Sequence, residues 1–155
     1  AQDIGVFQNE AKAYMDSYFA KYHGVRAYMT RVVEQAKADG YVTTLFGRRR
    51  DLPELKSSNF NVRSFGERVA LNMPIQGTAA DIIKAAMVRV DARMRTEHLQ
   101  ARLLLQVHDE LIVECPAEEA ETVKAILVDE MEHVVDYRVP LLVDAKTGAS
   151  WAEAH

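Results

Sequence analysis

The 155-residue sequence predicts an α+β fold in which helices back a small antiparallel sheet. Apolar side chains recur at three- and four-residue steps through most of the first two thirds, which is typical of amphipathic helices. Short apolar runs rich in Leu and Val dominate the last third, which is typical of strands. Hydrophobic residues make up 48% of the chain, so a domain of this length can form a hydrophobic core.

The amino-terminal part predicts a helical hairpin. A break at His23-Gly24 separates two apolar stripes, and Asp39-Gly40 ends the second helix. We expect the aromatic residues of these stripes to pack in the core rather than to stack on bases. The stripes consist of Ala11, Tyr14, Met15, Tyr18, Phe19 and Tyr22, followed by Val25, Tyr28, Met29, Val32, Val33 and Ala36.

Residues 41–53 predict a β-hairpin, because β-branched and aromatic residues surround Gly47. Three consecutive arginines follow this glycine and form the densest cluster of positive charge in the chain. Residues 56–61 are polar and predict a loop that leads into the next helix.

A helix is expected over residues 64–94, with an interruption near its middle. Pro74 has no amide hydrogen to donate, so it should kink or restart the helix. Thr78 and Asp81 have the spacing of a capping pair at such a restart. The second half carries the clearest apolar stripe of the chain, which consists of Ala79, Ile82, Ile83, Ala86, Met87, Val90 and Met94.

The last third predicts a β-hairpin, a helix and a final strand. Apolar residues 103–107 and 111–113 flank the polar trio His108-Asp109-Glu110, so we expect the trio to form a charged turn. Residues 117–135 show helical steps, and residues 139–145 predict another strand of the sheet. The residues expected on the inner face of the helix are Ala120, Val123, Ile126, Leu127, Met131 and Val134.

Charge and composition exclude several classes of protein. The net charge of −4 and the pI near 5.7 do not fit a domain that is strongly basic throughout, although a local basic patch can still bind phosphate. A single cysteine, Cys115, excludes an intramolecular disulfide and fits a reducing, cytoplasmic setting. No apolar run approaches the roughly 20 residues that a membrane-spanning helix needs, so no membrane partner is expected.

The turn His108-Asp109-Glu110 is the segment with the clearest chemical meaning. Hairpin turns usually favour Asn-Gly or Asp-Gly, whereas this turn holds a histidine and two adjacent carboxylates. Adjacent carboxylates repel each other unless a cation lies between or beside them, and Mg²⁺ prefers carboxylate oxygens. Spacing alone leaves a second interpretation open, namely a solvated polar turn without function.

The surrounding sequence resembles the family A DNA polymerases along essentially its whole length. Gln106-Val107-His108-Asp109-Glu110 between two apolar strands is similar to motif C of that family. The segments that precede it in the chain also match the family in order and spacing. They are residues 18–25 (Tyr-Phe-Ala-Lys-Tyr-His-Gly-Val), residues 40–50 (Gly-Tyr-Val-Thr-Thr-Leu-Phe-Gly-Arg-Arg-Arg), Glu67-Arg68, and residues 72–81 (Asn-Met-Pro-Ile-Gln-Gly-Thr-Ala-Ala-Asp).

The resemblance implies a DNA-directed DNA polymerase that acts in replication and repair. Such an enzyme transfers a nucleotide to a primer 3′-hydroxyl with the help of two Mg²⁺ ions. Asp109 is then expected to be one of two metal-bridging aspartates, and Glu110 beside it a catalytic residue that contributes less directly. The implied setting is the bacterial cytoplasm, where the enzyme would act at the nucleoid.

The resemblance also implies residues that contact the primer–template. Arg68, Asn72, Gln76 and His108 are similar to family residues near the growing primer end, and Arg50 is expected to contact phosphate. Amide and guanidinium donors suit the minor groove, where every base pair presents acceptors at nearly equivalent positions. Without the family match, Asn72 and Gln76 could equally cap or stabilise a helix kink.

By the same resemblance, residues 1–63 are expected to belong to the fingers and residues 64–155 to the carboxy-terminal part of the palm, whose antiparallel sheet would consist of the hairpin and the final strand. The Asp-Tyr-Ser motif that carries the second aspartate in the family does not occur in these 155 residues. We therefore predict that the chain alone is inactive and that its partners are primer–template DNA, a deoxynucleoside triphosphate and the amino-terminal part of the polymerase.

Two other functions stay open at this stage. One is a non-catalytic module that binds duplex DNA, which a salt-dependent titration would reveal. The other is a different metal-dependent phosphotransferase or nuclease on a similar sheet. That second alternative needs another acidic ligand for the ion, and the sequence offers no convincing partner for Asp109.

Overall fold

The computed structural model describes residues 7–154 and confirms the predicted α+β class. The chain divides into two compact units, here called the first unit (Ala1–Ile75) and the second unit (Gln76–His155). The elements in order are α1 (Gln8–Lys21), α2 (His23–Asp39), β1 (Tyr41–Thr43), β2 (Arg49–Asp51), a 3₁₀ turn (Pro53–Lys56), α3 (Phe60–Thr96), β3 (Arg102–Val107), β4 (Glu110–Glu114), a second 3₁₀ turn (Ala117–Glu119), α4 (Ala120–Glu132) and α5 (Trp151–Ala154). Among the described residues, no helix is both long and apolar enough to span a membrane.

The predicted helical hairpin is confirmed, with its break at Tyr22 between α1 and α2. At the start of α1, the carboxylate of Glu10 accepts a hydrogen bond from the Phe7 amide at 3.0 Å. Gly40 ends α2 with φ +80°, a conformation in which a side chain would be strained, and its amide donates to the Ala36 carbonyl at 2.8 Å. The turn signal at Gly40 therefore gave the end of α2 correctly, whereas the predicted break at His23-Gly24 lies one residue earlier, at Tyr22, and both of these residues belong to α2.

The aromatic stripe of α1 does not form a core, which corrects the prediction that its rings pack inside. Tyr14 is 65% exposed and Tyr18 is 51% exposed, whereas Tyr28 on α2 is half-buried. Tyr18 contacts two neighbours on its own helix, Phe19 and Tyr22, at ring-centroid distances of 5.4 and 4.9 Å. Helical periodicity identified the apolar face of α1 correctly, but periodicity does not say what covers such a face.

The first unit has a core in which α2, the β1–β2 hairpin and the first 3₁₀ turn pack on α3. Its buried residues are Ala36, Val42, Leu52, Leu55 and Ala70. Gly66 lies on α3 where the 3₁₀ turn approaches most closely, because a β-carbon there would lie 3.0 Å from the Glu54 β-carbon. An ion pair between Lys37 Nζ and Glu67 Oε1 at 2.6 Å also joins α2 to α3.

Helix α3 begins earlier than predicted. Asn59 accepts hydrogen bonds from the amides of Asn61 and Val62 at 2.9 and 3.4 Å through its side-chain oxygen. This is the contact expected of an N-cap residue, and it starts the helix at Phe60. The predicted loop is therefore shorter than expected: residues 57–59 connect the 3₁₀ turn, which ends at Lys56, to α3, which begins at Phe60.

Helix α3 also continues without interruption through Pro74, so the predicted break is wrong. The pair Thr78 and Asp81 does not cap a restarted helix, because both residues lie in the helix interior and are buried. Proline removes one amide donor from a helix, which is a cost that packing along a 37-residue helix can outweigh. The predicted apolar stripe is largely confirmed, since Ile83, Ala86, Val90 and Met94 are buried.

The second unit contains the predicted β3–β4 hairpin, whose strands pair antiparallel from Arg102↔Glu114 to Val107↔Glu110. A β-bulge at Leu104 shifts the register between the pairs Leu103↔Val113 and Leu105↔Ile112. The hairpin packs on α3 and α4 around a core of Val90, Met94, Ala101, Val123 and Ile126.

Polar contacts fix the ends of these elements. The Glu119 carboxylate accepts hydrogen bonds from the amides of Gln100 and Ala101 at 3.0 and 3.1 Å and so holds the start of β3. Helix α4 ends at Glu132 rather than near residue 135.

The predicted final strand over residues 139–145 is wrong. The described residues form only two two-stranded sheets, and neither includes this segment. Half-buried and exposed residues still alternate from Leu141 to Ala145, as in a strand, and the Val143 amide donates to the Glu132 carboxylate at 2.9 Å. A segment counts as a strand only when a neighbouring strand accepts its hydrogen bonds, and alternation in the sequence cannot supply that neighbour.

Candidate active-site turn and nucleic-acid contacts

The β3–β4 hairpin presents His108 and Asp109 as its two turn residues, with Glu110 as the first residue of β4. His108 has φ +54°, a left-handed conformation that is uncommon for residues with a β-carbon. The side-chain amide of Gln106 donates a hydrogen bond to the His108 carbonyl at 2.5 Å. The turn is therefore tight, backbone-strained and held by a side chain from its own strand.

The carboxylates of the turn differ in their surroundings. Asp109 is exposed, whereas Glu110 is half-buried opposite Val107 on β3. Within the described part of the chain, no group of three or more His, Cys, Asp or Glu side chains could hold a metal ion. Mg²⁺ commonly takes only one or two carboxylates from a protein and completes its shell with water and phosphate. The turn can supply one or two carboxylate ligands to Mg²⁺, but it cannot supply a complete set of protein ligands.

The predicted nucleic-acid contacts of α3 are spaced four residues apart at Arg68, Asn72 and Gln76. All three are exposed, and Arg68 and Asn72, which both belong to the first unit, share one face of the helix. Asn72 and Gln76 do not cap a helix, because both lie in its interior. Among the described residues, the side chain of Arg68 forms a hydrogen bond with Ser64 alone, one turn earlier, at 3.4 Å. Arg68 and Asn72 lie in the first unit, whereas Gln76 and the turn residues lie in the second.

The three arginines of the β1–β2 hairpin are not equivalent. Arg49 donates to the Asp51 carboxylate from Nε at 2.8 Å and from Nη2 at 2.6 Å. Its guanidinium also lies 3.9 Å from the centre of the Tyr41 ring, which is a close cation–π contact. Arg50 pairs with Val42 through the backbone of the hairpin, and its side chain makes no hydrogen bond or ion pair with another described residue.

Two residues gain a role that sequence reasoning did not assign. Gln106 belongs to the family motif, but only the folded turn shows that its amide reaches the carbonyl of His108. Arg49 belongs to the arginine cluster, but only the folded hairpin shows that its guanidinium lies over the Tyr41 ring and binds the Asp51 carboxylate. The spacing of Arg49 and Asp51, two residues apart in a strand, was the one available signal for the second contact.

Cys115 lies just after β4 and is half-buried. Burial raises the pKa of its thiol, and the negative charges of Glu119 and Glu118 raise it further. A thiol with a raised pKa carries little thiolate at neutral pH, which makes it a poor nucleophile and a poor metal ligand. Cys115 therefore takes no part in the candidate site.

Comparison with known proteins gives a consistent result. The family model for DNA polymerase family A matches residues 1–153. DNA polymerase I of Geobacillus stearothermophilus is 54% identical over 154 residues, and that of Bacillus subtilis (strain 168) is 53% identical over the same length. The match covers 99% of this chain but only 18% of either relative, so the chain spans less than a fifth of their length.

A solved structure is similar over the same range. It is the POL domain of Pol1 from M. smegmatis in complex with DNA primer-template and dNTP. The sequence identity is 47% and the TM-score is 0.95, and the match covers 99% of this chain and 27% of that one. The backbone described above is therefore close to that of a solved domain that binds DNA and a nucleotide.

Proposed function

Because this chain belongs to DNA polymerase family A, we propose that it forms part of the active site of a DNA-directed DNA polymerase that serves replication and repair. The observation that carries the proposal is the turn at Asp109, which presents an exposed carboxylate at the tip of a hairpin within the matched region. The reaction is template-directed transfer of a nucleotide to the 3′-hydroxyl of a primer.

In this proposal Asp109 is a metal ligand, and Glu110 supports it from the first position of β4. When bound, two Mg²⁺ ions would lower the pKa of the primer hydroxyl and offset negative charge on the leaving pyrophosphate. The chain's own part is to hold one carboxylate at a fixed point, exposed to the reacting groups. The second aspartate and the residues that bind the nucleotide would come from the amino-terminal part of the polymerase.

The polar row on α3 is proposed to hold the primer–template. Arg68 and Asn72 are exposed donors on one helical face in the first unit, and Gln76 on α3 and His108 at the turn are exposed in the second unit. Such donors can test the geometry of a base pair in the minor groove without reading its sequence, because acceptors lie at nearly the same place in every pair. This role fits an enzyme that must copy any template.

The proposal is tested by Asp109→Asn in the complete polymerase that carries this segment. We expect nucleotide incorporation to fall roughly 10³-fold or more, which is the size of effect seen when a group that stabilises phosphoryl-transfer charge is lost. Affinity for primer–template DNA should change little, because Asp109 does not donate to phosphate.

Asp136→Asn is the matched control, since Asp136 is an exposed aspartate beyond α4 in the same unit. This control should keep full incorporation. Near-normal incorporation by Asp109→Asn would overturn the proposed function.

A further inference from the structure

The turn that carries Asp109 has a support within its own strand. We propose that Gln106 is a positioning residue, whose side-chain amide holds the His108 carbonyl and thereby fixes the peptide from which Asp109 extends. The inference rests on the proposed function of Asp109. It adds a residue that acts through the backbone and not by touching DNA, nucleotide or metal.

The backbone of the turn needs such a support. His108 has φ +54°, and a two-residue turn in which the first residue has positive φ is usually built with glycine. A histidine in this conformation is strained by its β-carbon, so other turn conformations compete with it. A strained residue persists at a site only when its surroundings hold it there.

The hydrogen bond from Gln106 acts on the right peptide. Its Nε2 lies 2.5 Å from the His108 oxygen, and that carbonyl shares its peptide plane with the Asp109 amide. Rotation of this plane would break the hydrogen bond and turn the Asp109 amide with it, which changes the backbone angle φ of Asp109. The contact therefore couples the orientation of Asp109 to the side chain at position 106.

The β-bulge brings Gln106 to this place. Successive residues of a strand point to opposite faces, so an extra residue at Leu104 reverses the faces of all residues that follow it in β3. Gln106 consequently lies opposite Leu111, on the same face as the core residues Leu103 and Val113. Gln106 is exposed near the tip of the hairpin, beyond the core, and its side-chain amide can reach the His108 carbonyl of the turn.

The chemistry at position 106 requires a donor of a particular length. Methionine matches glutamine in length but cannot donate a hydrogen bond. Glutamate matches it in shape, yet its carboxylate would place an acceptor against the His108 carbonyl and a second negative charge beside Asp109. Gln106→Met therefore removes the hydrogen bond without a change of charge, and Gln106→Glu removes it and adds a negative charge.

The first experiment uses nuclear magnetic resonance on the 155-residue chain. We expect a scalar coupling across the hydrogen bond between the Gln106 side-chain nitrogen and the His108 carbonyl carbon. In Gln106→Met we expect line broadening or doubled signals confined to residues 108–110, because the turn then samples several conformations. Gln100→Met, a glutamine just before β3, should leave these signals unchanged.

The second experiment measures kcat and DNA affinity in the complete polymerase. We expect Gln106→Met and Gln106→Glu to lower kcat about 10- to 100-fold, the usual effect of removing a partner that orients a metal ligand. The dissociation constant for primer–template DNA should stay within about threefold, which is roughly 0.6 kcal/mol. A direct contact of Gln106 with DNA would instead weaken binding and leave kcat near normal, and that result would overturn the inference.

The outcomes separate the two proposals. If Asp109→Asn abolishes incorporation while Gln106→Met leaves both kcat and the turn signals unchanged, the positioning role is wrong and the proposed function stands. If Asp109→Asn is also fully active, the proposed function fails. The resonance experiment then decides by itself whether Gln106 holds the turn, because its readout does not depend on catalysis.

Discussion

Adjacent residues of the arginine cluster face different surroundings because they lie in a strand. Arg49 and Asp51 are two residues apart and share one face of β2, where Tyr41 on β1 adds its ring. Arg50 points to the other face, opposite Val42. The ion pair and the ring satisfy the guanidinium of Arg49, whereas Arg50 remains available for a phosphate. Among these two, we therefore expect only Arg50 to bind DNA directly.

The salt dependence of DNA binding tests this difference. We expect Arg50→Ala to reduce the slope of log affinity against log salt by about 0.9, the value for one phosphate contact. The matched control is the double variant Arg49→Ala with Asp51→Ala, which removes one ion pair and keeps the net charge constant. Its slope should equal that of the unaltered chain. If the slope fell in the control variant and did not change in Arg50→Ala, the phosphate contact would belong to Arg49 instead.

At the scale of elements, α3 and α4 are joined by an ionic network in the second unit. Arg93 forms hydrogen bonds with Asp129 and Glu130 on α4 and with Glu97, which directly follows α3. Arg89 adds an ion pair with Glu130 at 3.0 Å. The hydrogen bond from Arg93 is the main reason why the pKa of Asp129 lies below its ordinary value, and the positive charge of Arg93 lowers it further.

The lowered pKa of Asp129 predicts a pH-dependent effect on stability. A carboxylate whose pKa is lower in the folded state stabilises that state above its unfolded pKa, near 3.8, and the contribution is lost as pH falls through the folded pKa. We expect Asp129→Asn to lower the urea midpoint of unfolding at neutral pH. The difference from the unaltered chain should shrink well below pH 3.8.

Circular dichroism at the two pH values measures this effect. Asp136→Asn serves as the control, because Asp136 is exposed beyond α4, and it should not change the midpoint at either pH. An Asp129→Asn variant with the same midpoint as the unaltered chain at neutral pH would show that the network does not stabilise the fold. Because the groups are solvent-exposed, the effect should also weaken with added salt.

The whole chain has less than a fifth of the length of the curated relatives that it matches. Asp109 and Glu110 are the carboxylates proposed for its metal site, and the Asp-Tyr-Ser motif of the family does not occur in these 155 residues. Several apolar side chains are also exposed, among them Leu142 at 85% and Val139 at 74%. Such side chains are available for contact with a further protein surface.

We expect the purified 155-residue chain to bind duplex DNA weakly and to extend no primer. Binding follows from the exposed donors of α3 and the hairpin arginine, and it should weaken as salt increases. The measurement combines fluorescence anisotropy with a templated extension assay that contains Mg²⁺ and all four nucleotides. The complete polymerase provides the positive control. Extension by the chain alone would contradict the expected inactivity, and binding that does not depend on salt would contradict the phosphate contacts.

The compact units of the chain and its expected fingers and palm parts are two different kinds of division. The sequence was divided at residues 63 and 64 by resemblance, whereas the compact units meet at Ile75 and Gln76, directly after Pro74. The assignment of these parts to fingers and palm stays a prediction. Both divisions fall within α3, for which the sequence had predicted a later start and an interruption near the middle.

The sequence by itself determined the fold class, the helical hairpin, both β-hairpins and the place of Asp109 in a turn. These features depend on local rules, namely the periodicity of apolar residues and the conformations open to residues such as Gly40. Sequence also identified the family, because many short segments match it in order.

Only the tertiary structure decided the features that depend on distant partners. Helix α3 passes through Pro74, and residues 139–145 form no strand, because neighbouring elements and not local propensity settle both cases. The bulge at Leu104 likewise sets which face Gln106 occupies, since one extra residue reverses every side chain beyond it. The contact between Gln106 and His108 follows from that register, which the order of residues alone does not specify.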